Sequence, residues 1–181
     1  MMPCTLAFAL LFSPATLRLL GADDGAAGLA SLKGLVGRWR GTVSWSGAVP
    51  RPAGELSARY WLTGNGSAVV EDLESEGVVV MTSVYHLDGP DLRLTHYCGA
   101  GNQPRLRASE VDARAGLLRF SFVDVTNLKT SETGHVHGVE LSIRDTSHVT
   151  LVFTFLASGQ ESYEHIELTR LSDAAAVGPQ G

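Results

Sequence analysis

Leu35-Val36-Gly37-Arg38-Trp39-Arg40-Gly41-Thr42-Val43 marks the point where the apolar spacing of this chain changes. Ahead of it, Gly25 to Gly28 read as a small-residue linker, and Leu29 to Val36 carry the pattern of a short helix. From Arg38 onward the period is two, and no later stretch has helical apolar spacing. Candidate strands fall at 38–46, 55–62, 68–73, 77–87, 91–98, 104–109, 117–124, 135–144, 148–156 and 161–170. Between them lie residues that favour tight turns: Gly64-Asn65-Gly66, Asp88-Gly89-Pro90-Asp91, Ala115-Gly116, Asp145-Thr146-Ser147 and Ser158-Gly159. Short strands at even intervals with hairpin-length connections predict an all-β sandwich or an up-and-down barrel.

The opening strand also carries a resemblance. Gly37-Arg38-Trp39 is similar to the Gly-x-Trp opening of lipocalin-like (calycin) barrels, in which a short helix precedes the first strand. In those families an Arg near the end of the last strand packs over the Trp. Arg170, in Ile166-Glu167-Leu168-Thr169-Arg170, stands where that partner is expected. A guanidinium over an indole face would cap the closed end of a barrel. The resemblance implies an up-and-down antiparallel β-barrel of about 8–10 strands with a short N-terminal helix. Trp39 and Arg170 are then structural residues.

Composition fits one domain. The 181 residues are 44% hydrophobic and only 18% charged, with 20 glycines, a profile of strands and turns rather than disorder. A net charge of −5 with no basic cluster argues against nucleic acid as a partner.

At the N-terminus, Thr5 to Phe12 form an apolar run, Leu19-Leu20-Gly21-Ala22 close it, and Asp23-Asp24 follow. That order resembles a secretory signal peptide cut near Ala22. The expected organisation is a signal peptide over 1–22, linker and helix over 23–34, barrel over 35–172 and a flexible tail over 173–181. The mature protein would be periplasmic or extracellular, with no membrane attachment. Of Cys4 and Cys98, only the second would remain, which leaves no intramolecular disulfide and favours a buried thiol.

If consecutive strands are antiparallel neighbours, loops alternate between two ends. The Trp39/Arg170 end receives the short turns. The other receives the longer loops 47–54, 99–104 and 125–134, where barrels keep their ligand mouths. Alternation then assigns faces. Leu92, Leu94, His96 and Cys98 share one; Leu118, Phe120, Phe122 and Asp124 share another; His135, His137, Val139, Leu141 and Ile143 share a third. In each set the polar members gather at the open end. Glu71 (with Val69 and Leu73) and Tyr85 (with Val79, Met81 and Leu87) would look into the cavity from lower down, and Arg105 in a mouth loop could receive an anionic group.

The expected ligand-binding set is therefore His96, Cys98, Asp124, His135, His137, Glu71, Tyr85, Arg105, Phe120 and Phe122. Trp45, Phe153, Phe155 and Leu94 would add apolar wall. This predicts a barrel that holds a small hydrophobic or amphipathic ligand and needs no cofactor. An alternative is a zinc site from His96, His135 and His137, which could be catalytic. Against it, three strand steps of about 4.8 Å put the backbones about 14 Å apart along the sheet. The Gly-x-Trp-x-Gly opening also resembles nitrobindin-type haem barrels, which use a late-strand histidine. The candidate there, His165, alternates away from Ile166 and Leu168 and so points outward. A Cys98–His96 dyad is conceivable because the two share a face. No Gly-x-Ser-x-Gly elbow is present, so catalysis is less expected than binding.

Overall fold

The period-two segments form strands over nearly the expected ranges. The computed structural model describes residues 22–172. It contains helix α1 (Ala22–Lys33) and strands β1 (Gly37–Gly47), β2 (Gly54–Thr63), β3 (Ala68–Ser75), β4 (Val78–Asp88) and β5 (Asp91–Tyr97). These are followed by β6 (Gln103–Asp112), β7 (Leu117–Thr126), β8 (His135–Ile143), β9 (His148–Ala157) and β10 (Gln160–Arg170). Each strand pairs antiparallel with its neighbours in sequence, and β1 pairs with β10 to close a ten-strand barrel. Closure leaves no sheet edge unpaired. Cys4, residues 1–21 of the expected signal peptide and the expected tail lie outside the described residues.

Two top hairpins, Glu76-Gly77 and Ser158-Gly159, hold both turn residues at positive φ (52° and 77°, 49° and 73°), the geometry whose twist matches the flanking strands. At the opposite end, Trp39 lies directly across from Arg170, whose guanidinium sits 4.2 Å above the indole. Arg170 also donates to the carbonyls of Gly34, Val36 and Thr146 at 2.7 Å each. One side chain thus ties the helix exit, the first strand, the last strand and the β8–β9 turn. Gly41 in β1 has no room for a side chain: a Cβ there would lie 1.7 Å from the Glu167 carbonyl oxygen.

Helix α1 differs from its expected position. It begins at Ala22 rather than near Leu29, ends at Lys33, and takes in the supposed linker. The small residues serve close packing. A Cβ on Gly25 would meet the Pro90 carbonyl oxygen at 2.1 Å, and one on Gly28 would meet Leu92 Cδ2 at 2.8 Å. The helix lies across the closed end and buries Leu29 and Leu32, with Leu35 just after it, against the lower core. Burying such a side chain fully contributes about 1.5–3 kcal/mol.

The lower barrel is packed with apolar side chains, among them Trp39, Leu92, Leu94, Leu118, Leu141 and Leu151, each at most 1% exposed. Four register irregularities interrupt the alternation above it. Val80, Ser109, Val123 and His137 are each an extra residue against the facing strand. Each changes which face the following side chains take.

Candidate functional site

A belt of polar side chains crosses the barrel interior above the apolar floor. Tyr60 on β2 faces Glu71 on β3, Glu71 faces Ser83 on β4, and Ser83 faces His96 on β5, four direct cross-strand neighbours in one row. All are at most 1% exposed. Tyr85 donates to Glu71 Oε2 at 3.0 Å, and Ser83 Oγ is 3.0 Å from His96 Nδ1. The His96 ring packs 5.3 Å from Phe153, and Phe120 packs 5.7 Å from Tyr85. The belt is incompletely satisfied: Glu71 Oε1, His96 Nε2 and the Tyr60 hydroxyl have no hydrogen-bond partner. Buried polar atoms normally find one, so these are open valences of the site.

Burial sets the charges. It pushes the Glu71 carboxyl up to about 7, against the opposing pull of the hydroxyls around it, that of Tyr85 among them. It pushes His96 down to about 4, so the imidazole is neutral near pH 7. Tyr60 and Tyr85 are raised by burial and then by the nearby Glu71, and remain phenols.

Above the belt, the open end holds a cavity of about 430 Å³, within the range of small-molecule sites. Val43, Leu56, Leu73, Met81 and Phe155 form apolar wall, and the Trp45 and Phe155 rings lie 5.2 Å apart. Glu164, Cys98, Arg51 and Glu55 supply the polar lining. Glu164 is the cross-strand neighbour of Trp45, is 5% exposed, and leaves Oε2 without a partner. Burial raises its carboxyl to about 7, with Arg51 pulling it down and Glu71 pushing it up. Arg51 lies over Trp45, 4.4 Å from the ring centroid.

The expected site residues divide accordingly. Cys98 lines the cavity; Glu71, Tyr85, His96 and Phe120 lie inside, in or against the belt. Arg105 and Asp124 do not reach the lumen. The extra residue Val123 turns Asp124 onto the outer wall, where its carboxylate takes two 2.6 Å hydrogen bonds from Arg105. Both line an outer groove with His86 and Arg93. Val79, expected inside, is 50% exposed because Val80 is extra. On β8 the extra residue is His137. Val136 therefore takes the inward position opposite Phe155, and His135 pairs with Leu156 on the other face.

The two histidines form a separate cluster where β7 and β8 stop pairing beyond Ser121 and Gly138. Phe122 stacks on His137 at 4.6 Å and packs on His135 at 5.1 Å, and His137 Nδ1 is 3.4 Å from His135 Nε2. Neither lines the cavity. Among the described residues, no group of three or more His, Cys, Asp or Glu side chains is placed to hold a metal ion. His165 lies on the outer wall, its Nε2 2.9 Å from Ser46 Oγ. Burial raises the Cys98 thiol and the neighbouring His96 is neutral, so the geometry provides no activated thiolate.

Comparison with known proteins places the architecture. A crystal structure of a protein of unknown function from the DUF3598 family of Nostoc punctiforme superposes with a TM-score of 0.51 at 12% identity, covering 77% of this chain and 49% of that one. This chain thus spans about half of that structure. The likeness is one of fold. A redesigned β-barrel also aligns, at a TM-score of 0.39 and 10% identity over 78% of this chain and 96% of its own. The sequence matches no protein-family model and no curated protein.

Several residues of the site were not singled out from the sequence. Glu164 had a usable signal, since the alternation that turns His165 outward turns Glu164 inward with Ile166 and Leu168. Tyr60 follows Leu56 and Ala58 on one face, and Ser83 sits between Met81 and Tyr85. Arg51 lies in an irregular loop and carried no signal.

Proposed function

We propose that this lipocalin-like barrel binds a small, mostly apolar ligand in the cavity at its open end. The observation that carries the reading is a cavity of about 430 Å³ whose largely apolar wall includes Glu164, with a buried carboxyl oxygen that has no partner. The walls supply affinity through burial, about 0.8 kcal/mol for each ligand methylene removed from water. The polar lining supplies orientation. Binding rather than turnover is the proposal, because Cys98, the thiol on the cavity wall, is held protonated by burial, and the Ser46–His165 pair lies on the outer wall. Export is part of the same proposal and rests on the apolar run Thr5 to Phe12; N-terminal sequencing of protein recovered from the producing cells tests it.

The test of binding is titration with Nile red, a neutral fluorophore that brightens in apolar surroundings. The wild-type protein is expected to bind it saturably with one site. Met81→Trp places a larger ring among Leu73, Val80 and Leu56 and should abolish binding while thermal unfolding stays cooperative. Absence of saturable binding by the wild type, or full retention by a folded M81W, would sink the proposal.

A further inference from the structure

Of the unpartnered buried polar atoms in the lumen, the one on the cavity wall is a carboxyl oxygen of Glu164. Glu164 Oε2 and Glu71 Oε1 are both buried and unpartnered, and Glu164 is 95% removed from solvent on the cavity wall. On the donor side, the Tyr85 hydroxyl is already committed to Glu71, and the unpartnered Tyr60 hydroxyl lies in the belt beside Glu71 and does not line the cavity. The charged and titratable groups facing Glu164 are Arg51 from the β1–β2 loop, Glu71 from β3 and Cys98 from the end of β5, and Glu55 lines the same cavity. The strand neighbours on either side, Trp45 and Phe153, are aromatic. Arg51 is itself exposed and lies over the Trp45 ring, and Glu164 Oε2 is left without a hydrogen-bond partner.

The geometry points to a ligand with a protonated amine head group, its nitrogen donating to Glu164 beside the Trp45 ring and its apolar body lying along Val43, Leu56 and Phe155. This rests on the cavity reading above and deepens it. An ammonium brings up to three donors to a place with unpaired acceptors. The Trp45 face already accepts one cation, that of Arg51, at 4.4 Å, and indole is the aromatic ring best suited to cations. An anionic head group of the fatty-acid type would instead meet the carboxyl groups of Glu164, Glu71 and Glu55. Like charges there repel, and only the exposed Arg51 offsets them. A neutral alcohol sits between the two cases, giving one donor and no charge.

Three probes that differ only in the head group separate these cases: octylamine, octanol and octanoate, each measured by displacement of Nile red at pH 6 and pH 8. At pH 8 octylamine is expected to bind at least tenfold more tightly than octanol, and octanoate more weakly than either. From pH 6 to pH 8 the octylamine affinity should rise up to about tenfold, because Glu164 loses its proton near 7 while an alkylamine keeps its own. Octanol affinity should stay flat. Glu164→Gln should remove the advantage of octylamine and spare octanol. Trp45→Leu gives an independent arm and should weaken octylamine severalfold more than octanol. Equal binding of octylamine and octanol by the wild type, or an octylamine advantage that survives in folded E164Q, overturns the head-group assignment and leaves the cavity reading standing. Failure of wild-type protein to bind Nile red at all overturns both.

Discussion

Glu71→Gln removes a titrating proton from the middle of the barrel while nearly keeping the shape of the side chain. In the folded protein Glu71 titrates near 7, and its ordinary value is 4.5. The native state therefore holds the proton longer than the unfolded chain. The stabilising difference is full below pH 4.5 and is lost as pH rises through about 7. The gap of about 2.5 units corresponds to roughly 3 kcal/mol. At pH 5 the acid is protonated in the native state, and glutamine is expected to be nearly neutral, since its carbonyl can still accept from Tyr85. At pH 8 the wild type carries a desolvated carboxylate and the variant does not. The stability of E71Q relative to wild type should therefore improve by roughly 2.5 kcal/mol between pH 5 and pH 8, or about 5–10 °C in Tm for a domain of this size. Chemical denaturation at both pH values measures it. His96 acts in the opposite sense: its neutral form is favoured by burial, so its contribution is lost as pH falls from 6.5 towards 4, and the same substitution should leave that acid limb unchanged. Parallel stability curves for the two proteins from pH 5 to pH 8 would refute the reasoning, because the carboxyl would then titrate alike in both states.

Two further outcomes are expected. Arg170→Lys keeps the charge but loses the planar fork that serves three carbonyls and covers Trp39; a loss of about 2–4 kcal/mol in denaturant unfolding is expected, with Nile red affinity unchanged because the residue lies at the closed end. Arg105→Ala breaks an exposed pair with Asp124 on the outer wall, and both stability and Nile red binding should stay close to wild type; a clear loss of binding would show that this pair reaches the ligand after all.

The candidate site was legible in part. His96, Cys98 and Glu71 follow from simple alternation because no irregularity lies between them and the apolar residues that define their faces, and Tyr85 follows from Met81, on its own side of the extra residue Val80. Asp124 follows Phe122 by two positions and should by that count face inward, yet Val123 is extra and the face is reversed. His135 is misplaced for the same reason, with His137 as the extra residue. A bulge adds one residue without any compositional mark: the four extra residues are two valines, a serine and a histidine, types that also fill the regular positions of these strands. The polar belt is a second case. Glu71 and His96 stand out singly in their strands and Tyr60 and Ser83 do not, and only the pairing of four strands in register makes them a row.

By itself the sequence determined the strand set, the hairpin turns, the closed end marked by Trp39 and Arg170, and the inward faces of strands with unbroken alternation. These are local properties: backbone periodicity and turn chemistry act over a few residues and leave a direct trace in the order of side chains. Tertiary structure decided the bulges, the packing of α1 through Gly25 and Gly28, and the approach of Glu164, Arg51 and Glu71 to one lumen. Those depend on which residues of distant strands stand opposite each other, and a shift of one residue reverses every side chain beyond it.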